Sequence, residues 1–213
     1  MLFYLVKKDF LLIKKYLPII MLIPFAIPVM MMIQASQFLG LSAFIMSVVF
    51  TVFMLYQYVL MAEMKYPKAE ALLCATPYSR STLVKARYVF LLLSFAYCGV
   101  AYNVLSLFFP KIKFLTSYNY LSALLISVIL FGIYTPIQYK LGFEKTKYFF
   151  IVLIMGTPFL LTLLTKINIK LDFTELSAMP MFAQYLILIV AIIAILFISI
   201  NISIKIYSKK ELL

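Results

Sequence analysis

The sequence predicts an all-α integral membrane protein with six transmembrane helices, and three observations carry that prediction. Hydrophobic residues make up 66% of the 213 positions, and the mean hydropathy is +1.09. Apolar runs long enough to cross roughly 30 Å of hydrocarbon recur along the whole chain. The 19 Lys and Arg residues lie in short clusters between these runs, as expected of loops that face anionic lipid and cytosol. The bilayer is therefore the expected solvent of this chain.

Residues 1–15 are predicted to form an amphipathic helix that lies at the membrane interface. Its apolar residues recur at helical spacing, at Leu2, Leu5, Val6, Phe10 and Ile13. Four lysines form the predicted interfacial anchor, namely Lys7, Lys8, Lys14 and Lys15. A simple extension of the first span is the other interpretation, and the sequence alone leaves both open.

Six apolar segments follow as predicted spans. They cover residues 16–34, 38–62, 86–109, 119–139, 148–165 and 181–204. The chain is therefore expected to be one transmembrane domain over 1–213, with the N-terminal helix at 1–15 and a cytosolic segment at 63–85. The loops expected outside are short, so no extracellular domain is expected.

The distribution of basic residues predicts that both termini are cytosolic. With that orientation, most of the 19 Lys and Arg residues lie inside, and the outer loops hold only Lys111, Lys113, Lys166 and Lys170. The net charge of +12 therefore indicates a membrane surface rather than nucleic acid.

Catalytic, metal and cofactor sites are not expected in this chain. There is no histidine, and no Asp or Glu lies near the middle of a predicted span; Glu63 lies only at the inner end of the second. An intramembrane hydrolase needs an activated nucleophile with a base, and an ion-coupled carrier commonly uses a buried ionisable residue. No glycine-rich phosphate-binding motif is present, so another chain must bind any ATP used.

The polar side chains singled out within the predicted spans are uncharged amides. They are Gln57, Asn103, Gln138 and Asn201. Each is expected to form an interhelical hydrogen bond rather than to hold a ligand.

Residues 66–88, YPKAEALLCATPYSRSTLVKARY, interrupt the apolar sequence with a charged stretch bracketed by prolines. Between Pro67 and Pro77 the pattern predicts a helix of about nine residues, roughly 14 Å long and too short to span. Ser79 or Ser81 can cap the following helix. A short helix held between two spans suits a lever moved by a cytosolic partner; an ordinary solvated loop with a surface helix is the alternative.

The residues from Glu63 to Tyr88 resemble the segment between the second and third spans of type-2 ABC exporter permeases. In that family an acidic residue leaves span 2, a (T/L)-P-(V/Y)-S-R turn follows, and (I/L)-V-x-(A/S)-(K/R)-Y enters span 3. The positions that match are Pro77, Ser79, Arg80, Val84 and Tyr88. The opening LVKKDFLLIKKYL is also similar to the start of small permeases of this family, so the similarity covers essentially the whole chain.

This resemblance implies a transport subunit that is not itself an enzyme. A separate ABC ATPase would bind ATP and Mg²⁺, and two permeases, identical or paralogous, would assemble with two ATPases in a bacterial plasma membrane. The chain is most similar to compact permeases for amphipathic peptide toxins of the phenol-soluble modulin type and to related bacteriocin-immunity transporters. The residues implied in ATPase coupling are Glu63, Glu70, Leu72, Leu73, Pro77, Tyr78, Ser79 and Arg80.

Two other classes of function remain open from the residues. A non-transporting membrane scaffold or immunity protein would tolerate disruption of residues 66–88. A lipid-modifying enzyme would have to use cytosolic acids such as Glu63, Glu70 and Glu144, because the spans lack catalytic acids and metal ligands.

Overall fold

The computed structural model describes residues 2–34, 39–65, 79–148, 151–152, 156 and 180–209. The described part is all-α. Its main helices are α1 (Leu2–Leu12), α2 (Leu17–Met21), α3 (Ile23–Gln34), α4 (Leu41–Met64), α5 (Arg80–Phe108), α6 (Ser117–Leu141) and α7 (Met181–Ser208).

Five described stretches are long and apolar enough to cross a membrane. They are Leu17–Gln34, Leu41–Met64, Arg80–Phe108, Ser117–Leu141 and Met181–Ser208. The predicted all-α membrane fold is therefore confirmed. The predicted span over 148–165 lies almost entirely outside the described residues.

Local sequence signals account for several helix ends. Ser79, one of the two predicted caps, caps α5 by accepting a hydrogen bond from the Thr82 amide, so this helix begins at Arg80, before the predicted apolar span. Thr116 caps α6 in the same way, and α6 ends at Gly142, whose φ of 77° is readily adopted only by glycine. The first span is divided at Leu22 into α2 and α3.

Helix α1 is a separate element and not an extension of the first span. It ends at Leu12, and the chain turns over residues 13–16 before α2 begins. Its buried residues Leu5 and Val6 belong to one apolar cluster with side chains of α4 and α5. The N-terminal helix is thus docked against the ends of two spans.

Helices α6 and α7 lie side by side in the same direction. Tyr118 contacts Tyr185 near their first turns, with ring centroids 6.2 Å apart, and Tyr139 contacts Tyr207 near their last turns, at 4.9 Å. The end of α6 and the start of α7 therefore lie at opposite ends of the bundle.

Helix α5 runs against its neighbours, and this arrangement gathers several helix ends. Phe44, early in α4, contacts Tyr102, late in α5, at 5.4 Å, while Arg80 at the start of α5 reaches Ser208 at the end of α7. Helices α4, α6 and α7 therefore finish where α5 begins. We call this the charged end of the bundle.

Aromatic side chains fill the centre of the bundle. Phe131 of α6 is fully buried and meets Phe53, Tyr56 and Tyr88 edge-to-face, at centroid distances of 6.2, 5.0 and 5.7 Å. Such pairs contribute about 0.5–1.5 kcal/mol each beyond area burial. In lipid, where apolar burial gives little drive for helix association, this packing holds α4, α5 and α6 together.

Three of the four predicted intramembrane amides form interhelical hydrogen bonds. Gln57 donates to the Tyr134 hydroxyl at 2.6 Å, Gln138 accepts from Tyr56 at 3.2 Å, and Asn103 accepts from Tyr120 at 2.7 Å. For Asn201 the interhelical bond stays a prediction: among the described residues its amide donates at 2.9 Å to the Phe197 carbonyl of its own helix. Asn201 is exposed in the described structure, so the preceding turn offers the nearest acceptor.

Gly132 allows α6 and α7 to approach closely. Ser199 of α7 donates to the Gly132 carbonyl at 2.7 Å, and its hydroxyl lies 2.6 Å from that of Tyr88. A Cβ at position 132 would lie 3.3 Å from the Ser199 hydroxyl oxygen. The hydrogen bonds joining α5, α6 and α7 at this level depend on a residue without a side chain.

Replacing Gly132 with valine is expected to separate α6 from α7 and to destabilise the bundle by about 1–3 kcal/mol, because the added methyl groups overpack the contact. The measurement is the thermal midpoint of the far-ultraviolet circular dichroism signal of the purified chain in detergent. Gly99→Ala is the control, since a Cβ there would meet Tyr120 at an ordinary 3.7 Å. Equal midpoints for Gly132→Val and the wild type would show that no close approach exists.

Candidate functional site

The charged end of the bundle holds the segment that the sequence predicts to be functional. Residues 66–78 connect α4 to α5, and their described flanks are Lys65, at the end of α4, and Ser79, at the start of α5. The predicted site residues that lie outside the described part are Glu70, Leu72, Leu73, Pro77 and Tyr78. The structure therefore shows the residues that flank 66–78, at the end of α4 and the start of α5, and the side chains they contact. We call this set the frame.

Arg87 of α5 is the centre of this frame. Its Nη1 donates to Asp9 Oδ2 of α1 at 3.0 Å, and its Nη2 lies 2.5 Å from both carboxylate oxygens of Glu63 at the end of α4. The guanidinium carbon also lies 5.6 Å from the centre of the Tyr56 ring. A planar guanidinium with five donors can serve two carboxylates at once, which an ammonium does less well.

Lys8 closes the arrangement into a four-residue ion cluster. Its Nζ lies 3.1 Å from Asp9 Oδ1 and 3.2 Å from Glu63 Oε1. Together with Arg87, this gives two cations and two anions. Asp9 is 2% exposed and Arg87 is 8% exposed, so the centre of the cluster is shielded from solvent. Buried ions need this kind of mutual pairing, because each lone charge has a high desolvation cost.

Asp9 is the more deeply buried of the two acids in the cluster. Burial raises the pKa of its carboxyl above the ordinary value, although the charges of Arg87 and Lys8 act in the opposite direction. Its Oδ1 atom lies beside the Lys8 ammonium group but receives no well-aligned hydrogen bond from a described residue. Asp9 therefore takes up a proton at a higher pH than a solvent-exposed aspartate does.

Arg80 joins the start of α5 to the end of α7. Its Nη1 donates to the carbonyl oxygens of Ser208, at 2.8 Å, and Tyr207, at 3.4 Å. These carbonyls lie in the last turn of α7, where a cation also interacts favourably with the helix dipole. Residues 66–78 are thus followed almost at once by a residue that fixes α5 to another span.

The structure separates the sequence-predicted site residues into groups. Glu63 and Lys8 belong to the ion cluster, Ser79 is a helix cap, and Arg80 contacts α7. The three other anchor lysines, Lys7, Lys14 and Lys15, are exposed. Contact of Glu63, Ser79 and Arg80 with an ATPase stays a prediction, and so does interfacial anchoring by the four lysines.

Sequence reasoning missed both Asp9 and the pairing role of Arg87. A signal was present for both. Asp9 lies four residues after Leu5 and four before Ile13, on the apolar side of α1, and Arg87 lies between the buried Val84 and Leu91 on α5. A charge on an apolar helix face indicates a partner charge, but it does not indicate which one.

These features define a multi-pass membrane protein of bundled helices, with a paired ion cluster at the end from which residues 66–78 extend. Residues 4–208 match the family described as ABC-2 family transporter protein, and the chain belongs to that family. No curated protein and no solved structure matches the chain.

Membership of this family makes the chain the membrane-embedded transport subunit of an ABC exporter. Such a permease works with an ABC ATPase, which supplies the energy of ATP hydrolysis. The resemblance seen in the sequence to ABC exporter permeases is thereby confirmed at the level of the family.

Removing the guanidinium should undock α1. Arg87→Met leaves the carboxylates of Asp9 and Glu63 with one described cation, Lys8, between them. Breaking a buried pair from one side typically costs about 3–5 kcal/mol. We expect faster amide hydrogen exchange in α1, residues 2–12, measured by mass spectrometry of the purified chain. Exchange in α6 serves as the internal reference.

The matched control is the double variant Arg87→Met, Asp9→Asn, which removes one cation with one anion and leaves Lys8 paired with Glu63. Its α1 should exchange more slowly than that of Arg87→Met alone, because no unpaired charge is left buried. If Arg87→Met leaves exchange in α1 unchanged, the cluster does not hold this helix.

Proposed function

We propose that this chain is the permease of an ATP-driven exporter for amphipathic or hydrophobic substrates, with peptide toxins or antimicrobial peptides as the substrate class. It pairs with a separate ATPase, which binds ATP and Mg²⁺, and it works as two permeases with two ATPases. The observation that carries the coupling part of this proposal is the ion cluster. It joins α1 to the two helices from which residues 66–78 extend.

The cluster suits transmission of force from a cytosolic partner. A displacement applied to residues 66–78 reaches α4 at Lys65 and α5 at Ser79. Glu63 and Arg87, joined at 2.5 Å, then oblige the ends of α4 and α5 to move together. Asp9 extends the same connection to α1, and Arg80 at the start of α5 extends it to α7.

The coupling contact itself is proposed for residues 66–78. Leu72 and Leu73 would form its apolar seat on the ATPase, Glu70 a polar contact, and Pro77 and Tyr78 the turn into α5. This assignment rests on the resemblance of the 63–88 sequence to permease segments of the family.

The proposed substrate class is supported by the apolar, adaptable side chains of the described spans and by their scarcity of charged groups. Met30 of α3 is 55% exposed, and unbranched methionine side chains adapt to apolar partners of varied shape. Glu63 is the only acid in the described membrane-spanning helices, and it is paired. A peptide with an apolar face would find few fixed polar contacts on such a surface.

Copurification from native membranes in mild detergent tests the partner. The tagged wild-type chain should retain an ABC ATPase, and Leu72→Asp should retain at most about a tenth as much, because a buried carboxylate would oppose an apolar seat. The control is Phe114→Asp, which should retain the ATPase. Phe114 lies in the connection between α5 and α6, and its side chain is 59% exposed.

In the recovered complex, an amphipathic helical peptide should stimulate ATP hydrolysis, whereas a scrambled peptide of the same composition should not. A folded chain that copurifies with no ATPase, whether wild-type or variant, would favour the membrane scaffold or immunity protein instead. Purified chain that turns over a lipid by itself would favour the enzyme.

The charged end is proposed to face the cytosol of a bacterial cell, with both termini on that side. The basic residues at this end include Arg80, Lys140 and Lys205, whereas Lys111 and Lys113 lie at the opposite one. Positive residues next to spans favour the cytosolic side.

This topology is tested with single cysteines in a background in which Cys74 and Cys98 are replaced by serine. Lys113→Cys should react with an impermeant maleimide added to intact cells. Lys209→Cys should react only after permeabilisation. The reverse pattern of labelling would place the charged end outside.

A further inference from the structure

Helix α1 has an outward face on which apolar and basic side chains are mixed. Phe3 is 74%, Tyr4 72% and Leu11 56% exposed. A shallow groove on this face is lined by Tyr4, Lys7, Lys8, Leu11 and Leu12. A face in contact only with water would not gain from large apolar residues at these positions.

Among the described residues of α1 and of the turn that follows it, the charges without an ion-pair partner are all positive. Lys7, Lys14 and Lys15 are exposed, and none is ion-paired with a described residue. Lys8 differs from them, because Asp9 and Glu63 already neutralise its ammonium group. The single acid of α1 is turned into the cluster, so it does not offset the outward lysines.

Exposed apolar side chains also follow α1, in the turn and in the first span. Tyr16 is 40%, Ile19 67% and Leu22 63% exposed, and the last two lie within the membrane-crossing stretch Leu17–Gln34. The first span begins five residues after α1 ends, so α1 lies beside one end of a membrane-crossing stretch. The headgroups of a bilayer are expected at that level.

We propose that the outward face of α1 binds anionic phospholipid at the bilayer surface. The groove takes the upper part of an acyl chain against its tyrosine and leucine side chains, and Lys7, Lys14 and Lys15 bind the phosphate-bearing headgroups. Lysine stems can lie along apolar surface while their ammonium groups reach the headgroups. The opposite charges of the two surfaces provide the selectivity for anionic over zwitterionic lipid.

The chain has no tryptophan, which permits a direct test. Tyr4→Trp introduces one fluorophore into the groove of the full-length chain. The variant is reconstituted into phosphatidylcholine vesicles that contain an equal, small fraction of either brominated phosphatidylglycerol or brominated phosphatidylcholine. Contact with a brominated lipid quenches the fluorescence, so the ratio of quenching constants measures lipid preference at α1.

Brominated phosphatidylglycerol should quench the Tyr4→Trp variant several-fold more strongly at low salt. Adding Lys7→Gln should lower this preference by at most about fivefold, the full contribution of one lysine near an anionic surface, and Lys14 and Lys15 should maintain the remainder. Raising the salt concentration to about 1 M, where the Debye length is about 3 Å, should lower it further. Lys113→Gln should leave it nearly unchanged, because Lys113 lies at the opposite end of the bundle.

Phe182→Trp, in the first turn of α7, provides the control fluorophore in an otherwise wild-type chain. This position is 78% exposed at the opposite end of the bundle, so both lipids should quench it equally. Equal quenching of the Tyr4→Trp variant by the two lipids would overturn the proposal. So would a Tyr4→Trp variant that neither lipid quenches while the Phe182→Trp variant is quenched, since the groove would then be covered by protein or water.

Discussion

The pairing of one buried guanidinium with two carboxylates is the constraint on which the charged end of this protein depends. Arg87 cannot lose its charge, and burying it is costly unless anions lie beside it. Those anions come from different parts of the chain, Asp9 from α1 and Glu63 from α4. Satisfying the cation therefore fixes the positions of three helices at the same place. The adjacent contact of Arg80 with the last carbonyls of α7 adds a fourth helix to this frame.

Features of local origin could be predicted from the sequence, whereas long-range pairings could not. The spans follow from runs of apolar residues, and the cap of α5 follows from Ser79 alone. Asp9 and Arg87 are 78 positions apart, and nothing in either neighbourhood specifies the other. The different roles of Lys7 and Lys8 are of the same kind. They are adjacent in sequence, but a rotation of about 100° about the helix axis sends one outward and the other to Glu63.

The bundle combines two ways of holding helices together in lipid. Near its centre, aromatic rings and the close approach at Gly132 provide contacts that need no charge. At the charged end, ions and helix-end carbonyls provide directional contacts, which form only when the partner groups have the right distance and orientation. Membership of the ABC-2 family assigns the chain to transport. Under the proposed coupling, force applied at the charged end would act first on these directional contacts.

The ion cluster contains as many negative as positive charges, two of each. Moving a single elementary charge through a membrane potential of 100 mV involves about 2.3 kcal/mol. A neutral group of four that is displaced as a unit exchanges almost none of that energy with the field. Displacement of the cluster is therefore electrically silent, and the membrane potential neither drives nor resists it.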